Sequence, residues 1–206
     1  FKQKTAYEIR LSLVGSEMCI RDRHIHVAEG TDDLQANDRL KGLSRDDWLL
    51  VHGVHLDEDH GLNGCIVHNP RSNMNNSVGY AAPHRLGLPI ALGTDGIGAA
   101  MLEEFRIAYA RLREHDVAAT PELPWSWLET GYRIIPEAVD DRVIWSHGPI
   151  DPWRLAFQTN IKPELVEIDG EVVYTEGELT RADAMEIRTK AAEQAQRLFA
   201  KLENMV

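Results

Sequence analysis

Four short apolar runs recur between residues 24 and 95, and a polar or helical segment follows each of them. The runs are HIHVAE, WLLVHG, CIVHNP and LPIALGTD, at residues 24–29, 48–53, 65–70 and 88–95. Each has the length of a strand and is rich in Val, Ile and Leu, which is typical of strands that are buried on both faces. Because strands alternate with helical segments, the sequence predicts parallel β/α units and an α/β fold.

Two helices are predicted around these strands. The segment DDLQANDRLKGL follows the first run and predicts a helix that ends near Gly42. After the last run, apolar residues recur at helical spacing over residues 101–115 and predict a second helix. Residues 121–141 favour a further helix and a turn.

The pattern changes after residue 120. Short strands are expected within RVIWSH, ELVEIDG and EVVYTEGEL, at residues 142–147, 164–170 and 171–179. The last two strands are predicted to be joined by a tight turn at Asp169 and Gly170. A long, charged, Ala-rich helix is predicted over residues 180–203, with Thr180 as its N-cap. We therefore expect a small β element and a closing helix that packs against the strand region.

Each of the four predicted strands in the first region ends in residues that are able to do chemistry. These residues are His26 and Glu29, His52, Asn69, and Asp95. The carboxyl ends of the strands hold the active site in β/α barrels. One such ending would mean little, but four in succession indicate an enzyme.

The residue types at these ends suit a metal site. A divalent metal in a hydrolase is held by a few nitrogen and oxygen ligands at about 2.0–2.2 Å, with one position open for water. His26, His52 and Asp95 are of the right types, although a lone strand histidine is more often a hydrogen-bonded core residue. His24 and His26 point the same way on a strand, so each is a candidate ligand. Only His26 lies three residues before Glu29, which is equally suited to cap a helix.

Composition limits the classes of partner. The formal net charge of −11 argues against nucleic acid and anionic membranes, because both favour basic patches. No window approaches the ~18–20 apolar residues of a membrane span. Two cysteines, Cys19 and Cys65, do not make a disulfide framework. These features predict a soluble protein in a reducing, cytoplasmic setting.

The ordered motifs of the chain resemble those of the amidohydrolase superfamily. The motifs are HIHVAEG, VHGVHLDE, HNPRSNMNNSVGYAAP and LGTDGIG. They are most similar to the branch of cyclic deaminases and chlorohydrolases, and SNMNNSVG followed by LGTDGIG and MLEE resembles the SsnA-type aminohydrolases. The resemblance implies a TIM-type (β/α)8 barrel, of which residues 24–120 would supply strands five to eight. Residues 121–206 would then hold the end of the barrel region, the small β element and the closing helix.

The resemblance also implies roles for individual residues. His26 and Asp95 would bind one divalent metal, Zn²⁺ or alternatively Fe²⁺. Glu29 would protonate a ring nitrogen of the substrate, His52 would polarise the water or the substrate, and Asp95 would take a proton from the water. A loop facing the substrate would carry Asn69, Ser72 and Asn73. The implied reaction is hydrolysis of a C–N or C–Cl bond of a nitrogen heterocycle by metal-activated water.

Residues 1–23 share no pattern with the rest of the chain. The strings KQKTAYEI and LSLVGSEMCIRDR resemble translated sequencing-adapter DNA, and the alternative is an ordinary N-terminal strand and turn. The superfamily's His-x-His pair at the end of its first strand has no candidate here, and a full barrel needs roughly 250 residues. We therefore expect a C-terminal fragment that keeps about half of its metal shell. Exposed strand edges would make it poorly soluble, and it should be inactive alone.

Two other interpretations stay open. In the second interpretation, the chain is a non-catalytic binding or interaction protein that uses half a barrel as a docking surface. This interpretation predicts no metal binding. The third interpretation is a hydrolase whose barrel closes by pairing two half-barrels. It predicts an obligate dimer with stoichiometric metal, and oligomers are also possible for a full-length protein.

Overall fold

The four apolar runs form one parallel sheet in the computed structural model, which describes residues 23–32, 34–146 and 148–205. The strands are β1 (Arg23–Val27), β2 (Trp48–His52), β3 (Cys65–His68) and β4 (Ile90–Leu92), and their spatial order is β1-β2-β3-β4. Each strand is parallel to its neighbour. The predicted α/β class and the parallel pairing are therefore confirmed. The predictions for residues 1–22 lie outside the described residues.

Helices accompany this sheet in the first of two units, which ends at Ile134. They are α1 (Leu34–Leu40), α2 (Pro70–Asn75), α3 (Met101–His115) and α4 (Glu122–Ile134). The helix predicted over residues 101–115 is confirmed at both ends. Phe105, Ala108 and Leu112 are fully buried. Because they recur at helical spacing, they lie on one face of the helix. They join Leu50 and Ile66 of the sheet in the core.

The second unit begins at Ile135 and holds an antiparallel sheet. Its elements are β5 (Arg142–Trp145), α5 (Pro152–Phe157), β6 (Pro163–Ile168), β7 (Glu171–Thr175), β8 (Glu178–Leu179) and α6 (Ala184–Glu203). The predicted turn between β6 and β7 is confirmed, since Asp169 and Gly170 both have positive φ, at 50° and 74°. The domain boundary predicted at residue 120 stays a prediction, although the division after Ile134 leaves α4 in the first unit.

The predicted start of the last helix is wrong. Helix α6 begins at Ala184, because the Asp183 side chain accepts hydrogen bonds from the backbone N–H groups of Met185 and Glu186 at 2.8 and 3.0 Å. The Thr180 hydroxyl donates instead to the carbonyl of Val172. No residue of α6 is buried, and its packing against the strand region stays a prediction. No helix in the described part of the chain is long and apolar enough to cross a membrane.

The core of the first unit contains a fully buried histidine at the end of β3. The ring of His68 meets the rings of Tyr80 and Trp127 edge to face, at centroid distances of 6.3 and 5.9 Å. Neither ring nitrogen has a hydrogen-bond partner among the described residues. Desolvation by burial, together with the charges of His52, His84 and Arg111, lowers the pKa of His68 to about 3, and desolvation is the largest cause. His68 is therefore neutral in the folded chain near pH 7.

This histidine should make the stability of the chain depend on pH. Its folded pKa lies below the unfolded value near 6.5, so the unfolded chain binds more protons between these values and stability falls as pH drops. Between pH 7.5 and pH 5 we expect the His68 contribution to the free energy of unfolding to fall by about 2 kcal/mol. The substitution His68→Phe should remove this contribution. Urea unfolding of both chains at the two pH values measures it, and an equal pH dependence contradicts the expectation.

Candidate metal and catalytic site

The carboxyl ends of β1, β2 and β4 bring four of the predicted residues together. Oε2 of Glu29 lies 3.5 Å from Nδ1 of His26 and 3.5 Å from Nε2 of His52. The same Nε2 lies 3.8 Å from Oδ2 of Asp95. The rings of His26 and His52 meet at a centroid distance of 4.7 Å. Two imidazoles and two carboxylates therefore form one cluster at this edge of the sheet.

Positive backbone φ angles orient two side chains of the cluster, His52 and Asp95. In the strand register His26 lies beside Val51 and Val27 beside His52, so a regular pleat would direct His26 and His52 to opposite faces. His52 has a φ of 72° instead, which turns its ring towards that of His26. Asp95 also has a positive φ, at 51°. Such conformations cost roughly 1–3 kcal/mol in residues other than glycine and are frequent at functional sites.

Helix α2 holds two members of the cluster through buried side chains. The Ser72 hydroxyl donates to Oδ2 of Asp95 at 2.6 Å. Oδ1 of Asn73 accepts a hydrogen bond from Nδ1 of His52 at 2.8 Å. Because Nδ1 donates to this oxygen, a His52 ring that holds a single proton carries it on Nδ1, and its Nε2 lone pair then faces the two carboxylates. Ser72 and Asn73 therefore fix the orientation of the groups that they touch.

The hydrogen bond from Ser72 also sets the charge of Asp95. It is the largest cause that lowers the pKa of this carboxyl below its usual range, and the backbone N–H of Gly96 acts in the same direction. The charges of His52 and His26 add to the effect, whereas desolvation opposes it. Asp95 is thus a carboxylate, the form that can bind a metal or accept a proton.

The three residues predicted to face a substrate are almost fully buried. Asn69, Ser72 and Asn73 are each at most 2% exposed. Asn69 packs so closely against the end of β4 that a Cβ on Gly93 would lie 2.2 Å from its Oδ1. Direct contact of these side chains with a substrate stays a prediction, and their present contacts are with the protein.

Sequence reasoning missed one residue that contacts the cluster. Nδ2 of Asn76, directly after α2, donates to Oε1 of Glu29 at 3.3 Å and to the Ser72 hydroxyl at 3.4 Å. The i,i+4 spacing of Ser72 and Asn76 places both on one side of a helical turn. That spacing is visible in the sequence, but it indicates a shared face only once a helix is known to form at residues 70–75.

The donor atoms of the cluster fit a divalent metal. Ligands at about 2.0–2.2 Å from a tetrahedral zinc lie roughly 3.3–3.6 Å from one another. The ligand atoms of His26, Glu29 and His52 all lie within 4.8 Å of one another. Nε2 of His52 is buried and makes no hydrogen bond within the described part of the chain. When the ring holds its single proton on Nδ1, this nitrogen offers a lone pair beside two carboxylate oxygens, and these are donor types that zinc binds.

Comparison with known proteins adds sequence relatives. No protein-family model matches the chain. It is 31% identical over 107 residues to a 5-methylthioadenosine/S-adenosylhomocysteine deaminase of Shouchella clausii, an overlap of 46% of this chain and 24% of the relative. It is 29% identical over 220 aligned positions to a 5'-deoxyadenosine deaminase of Methanopyrus kandleri, covering 84% of this chain and 51% of the relative. The chain thus spans about half, or less, of the length of these relatives.

Solved structures of low identity show the same fold. A zinc-bound adenosine deaminase of Xanthomonas campestris has a TM-score of 0.63 at 20% identity, over 93% of this chain and 54% of that one. A zinc-bound atrazine chlorohydrolase of Arthrobacter aurescens has a TM-score of 0.64 at 16% identity, over 88% of this chain and 50% of that one. The narrower likeness to SsnA-type aminohydrolases stays a prediction. Sequence and fold together confirm the resemblance of this chain to the deaminases and chlorohydrolases of the amidohydrolase superfamily.

Proposed function

We propose that this chain is the C-terminal part of a metal-dependent aminohydrolase that removes an amino group from a nitrogen heterocycle. The observation that carries the proposal is the convergence of His26, Glu29, His52 and Asp95 at the carboxyl ends of three parallel strands. The relatives named above as deaminases of adenosine derivatives favour C–N hydrolysis over C–Cl hydrolysis. In this proposal, residues 24–120 are strands five to eight of a (β/α)8 barrel.

The residues of the cluster have distinct parts in this proposal. His26 and Asp95 would hold the metal, Zn²⁺ or alternatively Fe²⁺. When bound, the metal would lower the pKa of a coordinated water from 15.7 to about 7. The Nε2 lone pair of His52 would accept a hydrogen bond from the attacking water, because Asn73 keeps the ring proton on Nδ1. The low pKa of Asp95 keeps it ionised until it receives the proton of that water.

Glu29 would be the proton donor to the substrate. It lies beside both histidines, and its side chain is 28% exposed, so one oxygen is able to reach a bound ring. Protonation of the ring nitrogen removes the negative charge that attack on the neighbouring carbon would create. Collapse would then form the C=O bond and break the C–N bond, and the proton that Asp95 received would pass to the amino group, which leaves as ammonia. Asn69, Ser72 and Asn73 are proposed to line this side of the substrate pocket, behind the reacting groups.

The cluster by itself provides only part of such a site. A substrate-sized pocket normally buries most of its ligand, and a four-stranded sheet has two unpaired edges. We propose that strands one to four of the natural protein complete the metal shell and the pocket. The natural enzyme is proposed to be cytoplasmic, with a small heterocycle as its substrate and with no nucleic acid or membrane as a partner. The alternative, a non-catalytic half-barrel, requires no metal affinity.

Metal binding by the 206-residue chain tests this proposal against the non-catalytic alternative. We expect one Zn²⁺ per chain in competition with a chromophoric chelator. The substitution His26→Ala should weaken binding by more than the roughly 10–100-fold typical of lost outer-shell contacts, because a ligand is removed. The matched control is His24→Ala, since His24 is the other exposed histidine of β1. Unchanged affinity in His26→Ala, or a loss in the control instead, contradicts the assignment.

The isolated chain should not turn over substrate. We expect no release of ammonia from guanine, cytosine or adenosine analogues when the purified chain is supplied with zinc, because the pocket is incomplete. Ammonia release is measured with a coupled assay, and the His26→Ala variant reports the background. Turnover by the parent chain above that background contradicts this expectation. A stoichiometric dimer under the same conditions would instead support closure by two half-barrels.

A further inference from the structure

We propose that Arg71 and Glu104 are positioning residues for the metal cluster and act through helix α2. The inference rests on the proposed function, because it concerns the same cluster. Neither residue touches the cluster, and the sequence patterns assigned no role to either of them. What connects them to the site is a chain of side-chain contacts from α3 through α2 to His52 and Asp95.

Helix α2 and the residue after it contact three of the four cluster residues. Ser72 binds Asp95, Asn73 binds His52 and Asn76 binds Glu29, as described above. A shift of this helix would therefore displace three functional groups at once. The orientation of the cluster depends on where α2 lies.

The helix has few local means of holding its position. It has only six residues, and its N-cap Asn69 makes no side-chain capping bond. Helices of this length are unstable by themselves in water and depend on tertiary contacts. The ion pair between the partly buried Arg71 and the fully buried Glu104 supplies such a contact.

The pair is anchored in the core. Oε1 of Glu104 accepts from Nε of Arg71 at 2.7 Å and lies 2.5 Å from Nη2 of the same side chain. Oε2 lies 3.4 Å from the backbone N–H of Arg71. Glu104 is fully buried on α3, next to the buried Phe105. A buried carboxylate needs its partner, so the guanidinium of Arg71 is confined to one place.

The position of Arg71 in the sequence makes this constraint relevant to the site. Arg71 directly precedes Ser72 and Asn73, whose side chains hold Asp95 and His52. Its guanidinium also lies below the loop that follows Asp95, where a Cβ on Gly98 would meet Nη2 at 3.7 Å. The pair thus supports both the helix and the loop that carries Asp95.

The test uses the full chain with the substitution Glu104→Gln and the matched control Glu103→Gln. Glu103 precedes Glu104 on the same helix, but it pairs with Arg106 at the surface. We expect Glu104→Gln to weaken zinc binding by about 10–100-fold, as lost outer-shell contacts do, and Glu103→Gln to leave it unchanged. If Glu104→Gln does not fold, Arg71→Lys replaces it. Lysine keeps the positive charge but lacks the planar guanidinium that pairs with the Glu104 carboxylate. Equal zinc affinities in parent and variant overturn the proposal.

Two further readouts separate positioning from a loss of general stability. In the metal-free chain, ¹⁵N shifts of the His52 ring at fixed pH report whether Nδ1 carries the proton, and we expect a mixed tautomer in Glu104→Gln. In a double-mutant cycle with Asn73→Ala, the losses in zinc affinity should be less than additive, because both act through the same contact. Unchanged ring shifts, or fully additive losses, overturn the proposal. A parent chain that binds no zinc refutes the proposed function, and the ring shifts then decide the positioning role alone.

Discussion

Parallel pairing of β1 to β4 is the constraint on which the site depends. Because all four strands run in one direction, their carboxyl ends lie at the same edge of the sheet. Residues as distant in sequence as His26 and Asp95 are thereby brought to one cluster. The burial of Leu50 and Ile66 in the core of the first unit stabilises the sheet, since each buried side chain of this size contributes roughly 1.5–3 kcal/mol. The polar cluster thus lies at the edge of a sheet that apolar burial stabilises.

The strands and the main helix of the first unit could be predicted because local pattern and tertiary burial agree there. The run over residues 101–115 places Phe105, Ala108 and Leu112 on one helical face, and that face is the buried one. The N-cap of α6 could not be assigned in the same way, because Thr180 and Asp183 both suit a cap. Thr180 is excluded as the cap because its hydroxyl donates to the carbonyl of Val172 on β7, and this contact is not visible in the sequence.

For the candidate site as well, the sequence predicts which residues take part but not all of the contacts that orient them. The residue types at the strand ends indicated His26, Glu29, His52 and Asp95, since period and spacing locate the ends of strands. The ring of His52 approaches that of His26 only because of a positive φ, which no periodic pattern announces. The buried contacts of α2 also escaped prediction, because a six-residue helix has no periodicity to detect. The motif predicts a functional role for Ser72 and Asn73, whereas their contacts with Asp95 and His52 become visible only in the fold.

The electrostatics of the cluster explain why a cation belongs there. Glu29 and Asp95 both lie within 3.8 Å of the same nitrogen of His52, so two carboxyl groups of the cluster face one imidazole. Among the described residues, no Lys or Arg pairs with either carboxylate, and the nearby Arg71 is held by Glu104. Ser72 stabilises the ionised form of Asp95 and so keeps a negative charge at this edge of the sheet. A divalent cation held by His26 and Asp95 would neutralise the Asp95 carboxylate, and the contacts of Ser72 and Asn73 keep Asp95 and His52 in place before it binds.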